Sequence, residues 1–180
     1  EALHVTLTIS GSSGSLPDAV DAPGLAFATG GDANWQAQNG VTYDRVDAAQ
    51  SGAITHNQQS SLSTTVDGPA AVSFRWEVSS EATYDYLRFF INGVERAQIS
   101  GTIPWAQKTA PLGPGTNTLE WRYTKDYVVN SGLDAGFVDE VSVTGGVPSL
   151  FSVTPSLLAV ASTSGYEAAQ SSFNISTLNG

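Results

Sequence analysis

The chain has 180 residues, with seven basic and 17 acidic side chains and a formal net charge of −10. So acidic a surface repels phosphate backbones and argues against a nucleic-acid partner, while it suits hard cations such as calcium. Cysteine is absent, which excludes disulfides and thiol chemistry, and no apolar run reaches the length of a membrane span.

Apolar residues make up 41% of the chain, enough to build a core, whereas charged residues are only 13%. That balance, with abundant Gly, Ser and Thr, fits an all-β extracellular or cell-surface protein better than a helical cytosolic one. No signal peptide is recognised and residue 1 is not Met, so the chain is expected to begin after processing or to be an excerpt of something longer.

In chain order, Leu3, Val5, Leu7 and Ile9 alternate with polar residues and predict an extra N-terminal strand. A Gly/Ser linker at 11–15 follows, so residues 1–15 form a tethered segment. Its strand either pairs within its own domain, belongs to the tail of a preceding one, or donates itself to the sheet of another copy.

Residues 16–40 are rich in turn signals, with short strands predicted at 25–28 and 35–37. Asp18, Asp21 and Asp32 gather here. Residues 43–52 read as a loop carrying Asp44 and Asp47. Leu62, Thr64 and Val66 are in phase on a strand, which Asp67-Gly68-Pro69 turns into the central stretch.

That stretch carries three strand signals. Val72, Phe74, Trp76 and Val78 alternate with polar residues, so one face is apolar. Residues 86–91 are almost continuously apolar. Asn92-Gly93 is a strong type I′ hairpin signal, and residues 94–99 return.

Beyond it, residues 101–105 read as a loop ending in Trp105, and Gly113-Pro114-Gly115 as a turn. Leu119, Trp121 and Tyr123 share a strand face. Residues 124–136 form a loop with Asp126, Tyr127 and Asp134. Phe137, Asp139, Val141 and Val143 then fall on one face of a last strand. About nine short strands separated by turns indicate an antiparallel β-sandwich or barrel over residues 16–146. Residues 147–180 add a C-terminal set of three strand signals, too few to stand alone.

Together, Tyr43-Asp44, AAQSG, SFRWEVSS, YDYLRFFING, Gly101 with Trp105, LEWRYTKD and DAGFVDEVSV resemble a jelly-roll module of bacterial secreted and surface proteins. It is similar to the domains related to MAM and to the cleaved adhesin domains of gingipain-type proteases. The resemblance covers about residues 16–144. It implies a jelly-roll sandwich, a non-catalytic role in adhesion, glycan contact or assembly, and often bound calcium. Residues 151–177 look more weakly like the opening of a bacterial immunoglobulin-like domain.

A search for catalytic groups returns little. His4 and His56 lie in polar surroundings, and no nucleophile elbow, H-E-x-x-H helix or phosphate-binding loop is present. An enzyme is therefore not expected. Asp139 stands out, because a carboxylate on an apolar face is costly unless paired. It is either a hydrogen-bonded strand residue or a ligand to a structural calcium shared with Asp18, Asp21 or Asp32. Trp35, Trp105 and Tyr127 sit in loop-like context and could line a glycan site, or plug the ends of the sandwich.

Two functions follow as expectations. One is a structural or adhesive surface protein that could assemble with copies of itself into filaments through strand exchange by residues 3–9. The other is a calcium-stabilised carbohydrate-binding module whose partner is a polysaccharide.

Overall fold

The computed structural model describes residues 14–145. The assembly strand expected from Leu3, Val5, Leu7 and Ile9, and the C-terminal strand set, lie outside the described residues.

Ser15 starts a short helix, α1 (Leu16–Ala19), by accepting the Asp18 N–H at 3.4 Å, with Pro17 in the first turn. Among the described residues the elements after it are all strands: β1 (Ala28–Gly31), β2 (Gln36–Gln38), β3 (Ala48–Gln50), β4 (Gln59–Ser79), β5 (Tyr86–Ile91), β6 (Val94–Ile99), β7 (Thr102–Thr124) and β8 (Ala135–Gly145). Every pairing is antiparallel. The protein is an all-β antiparallel sandwich, as the patterning predicts.

The organising pair is β4 and β7. The turns expected at Gly68-Pro69 and at Gly113-Pro114-Gly115 are instead bends inside two long strands, paired from Gln59–Thr124 to Ser79–Thr102. The first half of β4 and the second half of β7 lie in one sheet, with β1 on one side and β5 and β6 on the other. Past the bend, the same two strands enter the second sheet, whose order continues through β8, β3 and β2.

At the bend, β4 advances from Gly68 to Ala70 while β7 runs from Leu112 to Gly115. The extra residue on β7 resets its side-chain phase. Ala110 and Leu112 before it, and Leu119, Trp121 and Tyr123 after it, therefore all reach the core.

The two strands meet closely here. A Cβ on Gly68 would lie 2.0 Å from the Gly113 carbonyl oxygen, whereas one on Gly113 would meet nothing. Gly68→Ala is expected to destabilise by about 1–3 kcal/mol, and Gly113→Ala to be much milder. Urea unfolding of both variants checks this; equal stability would mean the bend is looser than described.

Between the sheets lies an aromatic cluster. Phe74 packs against Phe89 at 4.7 Å and Trp121 at 5.1 Å, edge to face with the latter at 86°. Trp76 and Trp121 are core residues, as their phase predicts. The Asn92-Gly93 hairpin also forms as expected, with φ of 53° and 76°. Among the described residues, no helix is long and apolar enough to cross a membrane.

Candidate functional site

The outward face of the second sheet is built around β8. Gly136 and Val138 point inward, so Phe137 and Asp139 point outward. Glu140 then takes φ 48°, and β8 spends three steps, Asp139 to Ser142, against two on β4. This bulge reverses the alternation. Val141 and Val143 therefore pack into the core, and the expectation that they share a face with Phe137 and Asp139 is corrected.

Opposite Asp139 on β4 stands Arg75, and opposite Phe137 stands Glu77. Trp105 completes the face from β7. It was expected in a loop, but it lies within a strand, beside an irregularity in the β4–β7 register between Trp76 and Val78. Its backbone N–H donates to Glu77 Oε2 at 3.2 Å. Burial holds the Glu77 carboxyl above its ordinary range, partly offset by that bond.

The segment between β2 and β3 folds over this face and brings Tyr43 onto it. Its ring lies 6.2 Å from the Trp105 ring at 64°, and Trp105 lies 6.4 Å from Phe137. The Arg75 guanidinium sits 4.3 Å from the Tyr43 ring centroid and 3.3 Å from Glu140 Oε2. Tyr43 is 38% exposed and Trp105 half-buried, so the pair presents aromatic surface to solvent with charged groups held beside it.

Asp139 anchors the face from beneath. It is fully buried. Its Oδ2 accepts the Tyr43 N–H at 2.9 Å, and its Oδ1 the Glu140 N–H at 2.7 Å. Both oxygens are thus committed to backbone donors, one of them 96 residues away in sequence. Burial raises its pKa to about 6; the two N–H groups oppose that rise, and Asp44 and Asp21 add to it.

The other predicted ligands divide. Asp18, Asp21 and Asp139 share an acidic neighbourhood with Asp44, Asp47 and Glu140, seen in the upward shifts of Asp21 and Asp47. In both shifts burial leads and repulsion by the neighbouring acids follows. The Val141 N–H donates to the Val20 carbonyl at 2.8 Å, which ties the α1 end to β8. Asp32 is engaged elsewhere: its Oδ2 accepts the Gln59 N–H at 2.8 Å, closing the β1–β4 ladder.

The aromatics divide too. Trp35 is 3% exposed and belongs to the core, so its assignment to a glycan site is corrected; Leu25, Phe27 and Ala33 pack against the same core. Tyr127 is 72% exposed on the loop between β7 and β8, and its ring is not in stacking contact with Trp105 or Tyr43. Tyr43, Arg75 and Glu77 were missed as site residues. The alternation of 72–78 did place Arg75 and Glu77 on the wet face, but only the folded-over segment shows what joins them.

No family model matches the chain, and no curated protein matches it either. Solved structures do. A secreted serine protease, VesC from Vibrio cholerae, aligns with a TM-score of 0.53 at 15% identity. The match covers 64% of this chain but only 24% of the protease, so this chain spans about a quarter of that protein. The K2 cleaved adhesin domain of Lys-gingipain aligns at 0.52 and 14% identity, covering 76% of this chain and 95% of that one. The K3 cleaved adhesin domain from Porphyromonas gingivalis aligns at 0.50 and 14% identity, covering 67% and 91%. At such identities the likeness establishes the fold this chain shares with the gingipain cleaved adhesin domains.

Proposed function

We propose that this chain is a non-catalytic binding module of a secreted or cell-surface protein, and that its Trp105–Tyr43 face takes a polysaccharide. The observation that carries the reading is the pair of solvent-facing rings set among fixed polar groups. Aromatic faces cover the apolar side of a sugar ring, while Arg75, Glu77 and Glu140 offer donors and acceptors for its hydroxyls. A fold shared with adhesin domains supports a role in contact rather than turnover.

Asp139, the buried acid of this face, does not suit hydrolysis. Asp139 is sealed beneath the surface with both oxygens occupied, so it cannot reach a glycosidic oxygen. The acids around Asp21 suit a structural calcium, because a hard cation would relieve their mutual repulsion.

Affinity electrophoresis through gels containing a panel of plant, algal and bacterial polysaccharides tests the reading. At least one is expected to retard the protein. Trp105→Ala should weaken that binding by about tenfold or more, about 1.4 kcal/mol. Retardation unchanged by both Trp105→Ala and Tyr43→Ala would place the contact elsewhere.

A further inference from the structure

A separate set of acids lies where the β4–β5 and β7–β8 loops meet. Glu81 and Asp85 come from the first loop and Asp126 from the second. One carboxylate oxygen of each lies within 4.8 Å of the others. The backbone closes around them. The Asp85 N–H donates to the Glu81 carbonyl at 3.2 Å, and the Asp126 N–H to Asp85 Oδ1 at 2.9 Å. The Val128 N–H donates to Asp126 Oδ1 at 2.9 Å.

What remains unanswered is Asp85 Oδ2. Asp85 is fully buried, and this oxygen accepts no hydrogen bond; Glu81 Oε2 is buried and unpartnered in the same way. The nearby cation is Lys125, 3.5 Å from Asp85 Oδ2. An ammonium has three protons. Those of Lys125 are taken by Asp134 Oδ2, by Asn130 Oδ1 at 2.9 Å and by the Val129 carbonyl at 3.4 Å. Asp85 Oδ2 is left with the ion pair to Lys125 and no hydrogen bond.

The charge count agrees. Four carboxylates, Glu81, Asp85, Asp126 and Asp134, face one ammonium, so four minus one leaves three uncompensated negative charges.

We propose that Glu81, Asp85 and Asp126 bind one divalent cation of the calcium class, clamping the two loops together. The donors are all hard carboxylate oxygens, with no thiolate or imidazole among them, which disfavours zinc. Calcium tolerates irregular oxygen cages better than magnesium does. The clamp would also fix the base of the loop that exposes Tyr127, Val128, Val129 and Leu133. It is independent of the polysaccharide reading and of the acids around Asp21.

The test is calcium chloride titration of the chelator-stripped full chain by calorimetry, with the melting temperature followed in parallel. A saturable site is expected. Glu81→Gln and Asp126→Asn, each removing one ligand charge from a partly exposed side chain, should weaken it by about tenfold or more. Asp21→Asn should leave that binding event intact, and circular dichroism confirms that each variant folds. Calcium binding that is absent from the wild type, or that survives both Glu81→Gln and Asp126→Asn unchanged, overturns the proposal.

Discussion

Lys125→Met is expected to cost about 3–5 kcal/mol of folding stability in metal-free buffer. The side chain is completely shielded from solvent, as is that of Asp85, while that of Asp134 is 22% exposed. Met keeps much of the volume but removes the one charge facing a crowd of acids. The surviving carboxylates would then be held near each other, in low dielectric, without a counter-charge. The surface pairs give the contrast. Arg122 and Glu120 approach to 2.8 Å, yet with side chains 32% and 20% exposed their contribution is about 0–1 kcal/mol.

Urea unfolding measures the effect. Adding Asp134→Asn to Lys125→Met should recover part of the loss, because it removes one of the stranded charges. Calcium should recover more stability in Lys125→Met than in the wild type, since both cations offset the same acids. A cost below about 1 kcal/mol in chelated buffer would mean that the buried lysine is not needed to balance them.

How far the sequence reveals this molecule depends on whether a local rule or a distant contact decides each residue. The β5–β6 hairpin was legible because Asn92-Gly93 satisfies a backbone requirement that few other dipeptides meet. Trp76 and Trp121 are legible because the residues immediately before each, from Val72 and from Leu119, alternate regularly. Counting by twos fails where a bulge inserts a residue. Asp139 was assigned to the side of Val141 because nothing in Val-Asp-Glu-Val announces that Glu140 will turn to positive φ.

Glycine and proline at 68–69 and 113–115 predict chain reversals, and the same limit of local rules applies to them. They signal a departure from straight extension, but not whether the chain turns back or bends onward between sheets. Trp35 was misplaced by its polar neighbours Asn34 and Gln36, which point away from the core that takes the ring. Lys125 offered no signal at all. A lysine before an aspartate and a loop looks solvated, and only the convergence of Asp85 and Asp134 explains its burial.

Asp139→Ala is the second substitution with a large expected effect, about 2–5 kcal/mol, because it orphans two partly buried N–H donors, each at a cost of up to about 1–3 kcal/mol. It also frees the segment carrying Tyr43, so the solvent-facing half of the aromatic pair loses its anchor. Asp139→Asn keeps one acceptor and should fall between the two. The pH dependence separates this from a simple packing loss. The Asp139 pKa is about 6 in the folded protein against 3.8 for the ordinary side chain. The folded state therefore holds the proton more tightly than the unfolded chain does. The resulting stabilisation is complete below about pH 4 and is lost as the pH rises through about 6. Asp21, Asp47 and Glu77 are shifted in the same direction and add to the trend. In a chelating buffer the wild type should accordingly lose melting temperature from about pH 4 to pH 6, and Asp139→Asn should lose less. Calcium should flatten the wild-type decline, since a cation beside Asp21 and Asp47 would favour their ionised forms. Parallel curves for wild type and Asp139→Asn over that interval would mean that the two backbone donors already hold the carboxylate ionised.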